Sequence, residues 1–455
     1  MGLDQSVFAL DKRRPRVVST HVLLCLEPAA LAGDLNKSHR ALVGGMAAKR
    51  VVAARYSARM SGRIITVGPE RYAELIAHLD GAFGMSGERT FPRLLPAMYG
   101  PDERCACNHA VEVDGDLAAV VGLFPITWHV GGAVLRVAGI GGVSTRHGQR
   151  GGGHMRRLLT HVLDLAQRQG FHLAFLGGQR QRYGYFGFEV AGVQPTFRLT
   201  ATNLRHAGLL DEQRGAGADE GLPAVTLAPL TTAADLESLQ ALHNAQPVRC
   251  DRPRFFETLH QWMPEPMVGV DGDGAAAGYV VLSAAEKKVV EVLGRDTAAE
   301  AAMLRASLEF VEGEAVQVRP APHQRGLLAW LGSVAERYTV EACDNWRVFD
   351  WPATLGALLR QRRAAGPMAA GSVTLAVDAE RVRLTVDDGG DGPGGVRCEA
   401  SDELADLTLD GRTALRLLGG PLPVSLAADL PESPASALLA AWCPLPLHLP
   451  RQDHI

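Results

Sequence analysis

The chain has 455 residues, of which 47% are hydrophobic and 21% charged, and carries a formal net charge of −4. At roughly 100–200 residues per domain this length suggests about three domains, and the charge gives no reason to expect nucleic acid or an anionic membrane as partner. Seven cysteines, an odd number scattered along the chain, argue against a disulfide framework and for a reducing, cytoplasmic compartment.

Cys105 and Cys107, the only close pair, have no further Cys or His at ligand spacing. They read as free thiols, and no metal is expected. No apolar run reaches the roughly 18 residues of a transmembrane helix.

Residues 1–62 differ from the rest. Leu35 to Arg63 holds seven Lys or Arg and no acid. The segment reads as a disordered or spurious extension, with a targeting segment or a start at Met46 or Met60 as the other readings. From Arg63 the pattern turns regular. Ile64 to Val67 predicts a strand, and Tyr72, Leu75, Ile76 and Leu79 a helix after Pro69. Val111 to Val113, the Asp114-Gly115 turn, a long strand to Val130, the Gly131-Gly132 turn and a strand from Ala133 to Thr145 predict an antiparallel meander. A Gly/Arg-rich loop follows, then a helix with Met155, Leu158, Leu159, Val162, Leu163 and Ala166 on one face, stopped at Gly170. Phe171 to Leu176 is the next strand.

Asp211 to Gly221 reads as a linker. After it a similar order recurs: a strand at Val225, a helix from Ala234 to Asn244, a meander between Met267 and Leu293, a helix from Ala298 and a strand at Ala315 to Val318. Where the first copy has its glycine loop, this one has only Gly294-Arg-Asp-Thr297. From Trp351 short strands and amphipathic helices predict a small α+β domain. The division is thus 1–62, 63–210, 222–350 and 351–455.

The chemistry concentrates in Gly142-Val-Ser-Thr-Arg-His-Gly-Gln-Arg-Gly-Gly-Gly-His-Met155. Three successive glycines between a strand and a helix let free N–H groups and the helix dipole face an anion, with Arg150 adding charge. A pyrophosphate is the natural guest. Downstream stands Gln179-Arg-Gln-Arg-Tyr-Gly-Tyr-Phe-Gly-Phe188, where a phenol could serve as a proton donor to a leaving thiolate.

These two stretches resemble the acetyl-CoA motif and the late Tyr-x-x-x-Gly-Phe motif of the GNAT superfamily of N-acetyltransferases. The match runs through Arg150, Gly151, Gly152, Gly153, His154 and Met155, with Met155 standing where the family has Gly or Ala. The resemblance implies an acetyl-CoA co-substrate, with Val143, Ser144 and Thr145 along the pantetheine arm, Arg150 to Met155 around the pyrophosphate, and Tyr183 as general acid. The full plan resembles the Eis-like acetyltransferases. This implies an α+β chain of tandem GNAT-type mixed-sheet domains, the second degenerate, followed by a sterol-carrier-protein-like domain, in a homo-oligomer. It also implies that the carboxylate of the last residue, Ile455, is the base, with His454 as a rival on general grounds. The expected reaction is acetyl transfer to a primary amine of a small molecule or peptide. The alternative is a non-catalytic scaffold that binds CoA or lipid.

Overall fold

The computed structural model describes residues 62–100, 102–210, 222–231, 233–311, 315–388 and 395–455. The expected extension up to residue 61 and the expected linker 211–221 lie outside them. The first sheet begins with β1 (Arg63–Thr66), β2 (Asn108–Val113), β3 (Asp116–Val130) and β4 (Ala133–Thr145), all antiparallel to their neighbours. Both hairpins turn through paired positive-φ residues: Asp114 and Gly115 at 51° and 87°, Gly131 and Gly132 at 57° and 71°. That geometry suits the right-handed twist of the strands it joins. Helix α1 (Tyr72–Phe83) buries Leu75, His78 and Leu79 and ends at Gly84 in the left-handed conformation.

Helix α2 (His154–Arg168) crosses from β4 to β5 (Leu173–Leu176), which lies parallel to β4. Its buried residues Leu158, Leu159, Val162, Leu163 and Ala166 are the stripe read from the sequence. Beyond β5 the sheet continues through β15 (Asn345–Val348) to β6 (Glu189–Val190). The last-but-one strand therefore comes from a segment some 170 residues downstream of β5.

The second sheet repeats the plan. In chain order its own strands are β8 (Val225–Pro229), β10 (Glu265–Asp271), β11 (Ala276–Ser283), β12 (Lys288–Gly294), β13 (Ala315–Val318) and β14 (Arg337–Glu341). Helix α3 (Ala233–Asn244) follows β8, and α4 (Thr297–Phe310) joins β12 to β13, again a parallel pair. Here β7 (Gln194–Thr200) is inserted between β13 and β14. The segment expected as 63–210 thus lends one strand, β7, to the second sheet, and the segment expected as 222–350 lends β15 and the short β9 (Arg249–Cys250) to the first. The two lobes are joined by backbone ladders at β7, β15 and β9. Helix α5 (Arg325–Val334) and β9, which pairs with β3, complete this part.

The C-terminal part holds α6 (Trp351–Ala364), the strands β16 (Gly371–Val377), β17 (Glu380–Val386), β18 (Val396–Ala400) and β19 (Leu407–Leu409), then α7 (Gly411–Gly419) and α8 (Pro434–Trp442). Its sheet runs β18-β17-β16-β19. Leu355, Leu358, Val373, Leu375, Leu384 and Trp442 share one apolar core with Ile126, Trp128, Val137 and Trp346 of the first lobe. The chain then returns through Leu445, Leu447 and Leu449, all buried, to end against the first sheet. None of the helices among the described residues is long and apolar enough to cross a membrane.

Candidate active site

Strands β4 and β5 pair only from Val137↔Leu173 to Gly139↔Phe175. Beyond Gly139 they part, while β4 stays bonded to β3 up to Thr145. The register shifts between Val120 and Gly122, and Gly142 takes a φ of 58°. This bulge turns successive residues of β4 toward one face. The β5-facing edge of β4 from Ile140 onward is therefore open for an extended ligand to pair with. Val143 packs toward α2. Ser144 turns the other way: its hydroxyl lies 3.0 Å from His78 Nε2 and 3.0 Å from the carbonyl of Gly142. Burial holds the His78 pKa down, and its Nδ1 donates to Leu117 O at 3.1 Å. Ser144 thus has only backbone groups to offer the opening. Thr145 is half-buried at the strand's end.

The glycine loop delivers the chain from β4 to α2. Gly151 and Gly153 have φ of 80° and 76°, left-handed values open to glycine at little cost. Gly153 is the N-cap of α2, has no side chain to offer, and no acid stands in the first turn. The first N–H groups of α2 are left for an outside acceptor, at the positive end of the helix dipole. His154, the first helical residue, is buried with Nε2 unpartnered. Burial, with Arg157 adding, lowers its pKa. Arg150 is exposed and, among the described residues, bonded only to Thr145 O at 3.5 Å. An uncapped helix start, an orphaned buried nitrogen and a cation on one loop fit a phosphate group. Met155 packs into the apolar cluster of α2, away from the loop, so a large side chain is tolerated where a small residue was expected.

The second lobe makes the comparison sharp. At the same point Asp296 caps α4, its carboxylate accepting from Ala299 N at 2.8 Å, with Glu300 in the first turn. That helix start carries its own anion and has no vacancy for another.

Tyr183 ends the short helix Arg180–Tyr183 after β5 and is 5% exposed. Its ring fills the space above Gly178, where a Cβ would come within 2.6 Å of the ring edge. Burial raises the phenol's pKa, with Arg182 opposing. The segment is pinned by Glu189, whose fully buried carboxylate accepts from Arg180, Arg412 and Arg416. Tyr183 shares the α2-side cluster with Val143 and Met155.

Ile455 lies on the other face. A Cβ on Gly139 or Gly141 would collide with its side chain; only glycines leave β4 flat enough to receive it. The preceding residues are tied in one after another. His454 Nε2 donates to Leu449 O at 3.2 Å, and its Nδ1 is 3.3 Å from Arg451 Nη1. Both ring nitrogens are engaged, and burial lowers the pKa. Asp453 takes a two-pronged bond from Arg252 at 2.9 and 2.8 Å. The Gln452 amide donates to the carbonyls of Thr258, Leu259 and Gln261. Tyr183 and Ile455 pack into different apolar clusters, on opposite faces of the first sheet.

Tyr99 was not visible from the sequence, where nothing around Met98-Tyr99-Gly100 suggests chemistry. It is 2% exposed, its hydroxyl has no partner among the described residues, and that hydroxyl would stand 2.6 Å from a Cβ on Gly142 and 3.4 Å from one on Gly141. A buried hydroxyl without a partner is expensive, and this one faces the bulge beside Ile455. Among the described residues no three His, Cys, Asp or Glu are grouped to hold a metal ion.

Residues 63–191 match the family model described as the acetyltransferase (GNAT) domain. No curated protein sequence matches the chain. Among solved structures, the GCN5-related N-acetyltransferase from Kribbella flavida is 19% identical with a TM-score of 0.60, over 87% of this chain and 98% of that one. Eis1 from Mycobacterium abscessus is 16% identical with a TM-score of 0.61, over 86% and 100%. The GCN5-related N-acetyltransferase from Anabaena variabilis is 15% identical with a TM-score of 0.60, over 86% and 98%. The likeness to these structures is one of fold. The match to the GNAT domain model thus falls on the first sheet, and the mixed α+β fold of several sheets is like that of these structures.

Proposed function

We propose that the chain is an acetyl-CoA-dependent N-acetyltransferase acting on a primary amine. The observation that carries this reading is the uncapped start of α2 at Gly153, continuous with the open edge of β4. One end of that groove suits a pyrophosphate and the other suits an extended amide-bearing arm. Arg150, the N–H groups of Gly151 to Met155 and His154 Nε2 would hold the phosphates. Backbone groups of Val143 to Thr145 would pair with the arm, and an N–H there would meet the developing oxyanion.

In the reaction the amine nitrogen bonds to the acyl carbon and the carbon–sulfur bond breaks. The Ile455 carboxylate takes the proton the amine loses, directly or through water, and Tyr183 gives its phenolic proton to the departing thiolate. The raised pKa of Tyr183 keeps it protonated until a thiolate forms. The Tyr99 hydroxyl, on the same face as Ile455, orients the incoming amine. His454, with both nitrogens engaged, positions the tail and is not the base. In this reading residues 222–350 are a second, degenerate domain of the same type, disabled by Asp296. Residues 351–455 form a sterol-carrier-protein-like domain that delivers the tail.

The test is CoA release from acetyl-CoA over a panel of amines. Turnover with at least one amine, lost in Tyr183→Phe, supports the reading. Binding of acetyl-CoA without turnover on any amine overturns it in favour of a CoA-binding scaffold.

A further inference from the structure

In the second lobe β12 and β13 pair at only two positions, Lys288↔Gln317 and Val289↔Val318, and then separate. The opening between them is lined on one side by Val290 to Leu293 and on the other by Arg319 and His323. It cannot serve an extended arm, because the Gln324 amide reaches across it to Val292 O at 2.8 Å. What remains is a cavity of about 40 Å³, room for a few water-sized occupants.

The walls of that cavity hold four arginines against one carboxylate, Glu291. Arg249, Arg252, Arg319 and Arg451 line it, with His323 and His448 beside them. Arg252 is neutralised by Glu291 and Asp453. The other three have no carboxylate within ion-pair distance among the described residues. Arg249 spends one nitrogen on Gln246 O at 2.9 Å. Arg451 lies over the Trp262 ring, 4.1 Å from its centre. The Arg319 guanidinium makes no hydrogen bond among the described residues, and the Nε atoms of both Arg319 and Arg249 are buried without a partner. Unmet buried donors on charged groups are costly and uncommon.

We propose that this cavity binds a small oxyanion, a phosphate or carboxylate group, held by Arg319, Arg249 and Arg451. The size excludes a whole CoA, and the charge excludes a cation. Two features of the second lobe agree. The strand opening persists although the helix start beside it is blocked by Asp296, and Arg252 at the cavity wall also grips the tail through Asp453. An occupant here therefore sits one ion pair away from the residues that anchor Ile455.

The experiment is calorimetric titration of the full-length chain with sodium phosphate and, separately, sodium acetate, against sodium chloride at matched ionic strength. Saturable binding of phosphate or acetate is expected, the preferred anion identifying the group. Arg319→Gln should weaken it on the order of tenfold or more. Arg249→Gln should weaken it too, so a folding failure in one variant leaves the other. Phosphate held by the glycine loop of the first lobe is lost in Arg150→Ala and kept in Arg319→Gln, whereas phosphate in the cavity shows the reverse, which separates the two sites. Neither anion binding beyond chloride, or equal binding by wild type and both cavity variants, overturns the proposal.

Discussion

Ile455, the last residue of the chain, rests on Gly139 so closely that a single methyl group there would displace it. Gly139 also sits at the last parallel pair before β4 and β5 part. Gly139 thus stands both against the Ile455 side chain and at the mouth of the opening.

Gly139 does not have a left-handed φ, so alanine fits its backbone. Gly139→Ala is expected to keep the fold and acetyl-CoA binding while expelling the tail. Turnover should fall about 100-fold or more, the scale of a lost general base. Steady-state kinetics with calorimetry on the same variant checks this. Unchanged turnover would remove Ile455 from the reaction.

Tyr183→Phe keeps the ring that fills the space over Gly178 and removes only the acid. The expected result is a fall in kcat on the order of 100-fold with little change in the affinity for acetyl-CoA. Burial of the phenol raises its pKa, so wild-type activity should not decline through the loss of this proton within the ordinary tyrosine range near pH 10 or below it.

Tyr99→Phe is informative because the hydroxyl has no partner among the described residues. Removing an unsatisfied buried hydroxyl should leave stability unchanged or raise it by about 1 kcal/mol. A KM for the amine that rises severalfold in a protein of equal or higher Tm would place Tyr99 on the acceptor. A loss of stability would show that its hydroxyl is structurally engaged.

The pH dependence of stability follows from His448, 5% exposed, whose pKa burial pushes down to about 3, and from His323, pushed down to about 4. Both are neutral in the folded chain and bind protons more readily when unfolded. Their contribution is present above about pH 6.5 and is lost as the pH falls toward 4 and 3. A tenfold difference in proton affinity between the unfolded and folded chain is worth about 1.4 kcal/mol. Glu291, held down to about 2 by Arg252 against the cost of burial, loses its contribution only below about pH 4.5. The unfolding midpoint should therefore begin to drop below pH 6.5, and His448→Gln should flatten that first decline. A midpoint constant from pH 7 to 5 in the wild type would contradict this.

The elements whose signal is local were legible in the sequence. The stripe of α2 and the Asp114-Gly115 hairpin are set by residues within a few positions of each other, and the strand from Ala133 to Thr145 has the predicted bounds. The exchange of β7 and β15 was not legible. Val348 pairs with Leu173 across a long stretch of the chain, and strand length and polarity say nothing about which sheet will accept a strand. The candidate site divides in the same way. The glycine loop and Tyr183 carry their chemistry in contiguous residues. Tyr99 is a lone aromatic whose meaning comes only from the bulge it faces. The hold on the tail depends on Arg252 meeting Asp453, 201 positions away. Ile455 enters as the proposed base only through resemblance, since no pattern marks a last residue as a base.

The central claim rests on the start of α2, and calorimetric titration of acetyl-CoA into the full-length chain and into Gly153→Asp tests it most directly. The aspartate would place a carboxylate where Asp296 stands on α4, at a residue whose φ of 76° also disfavours a side chain; circular dichroism on the variant establishes that it is folded. The account predicts binding by the wild type and a loss of at least about tenfold in the folded variant. Equal affinities, or no binding by the wild type, would contradict it.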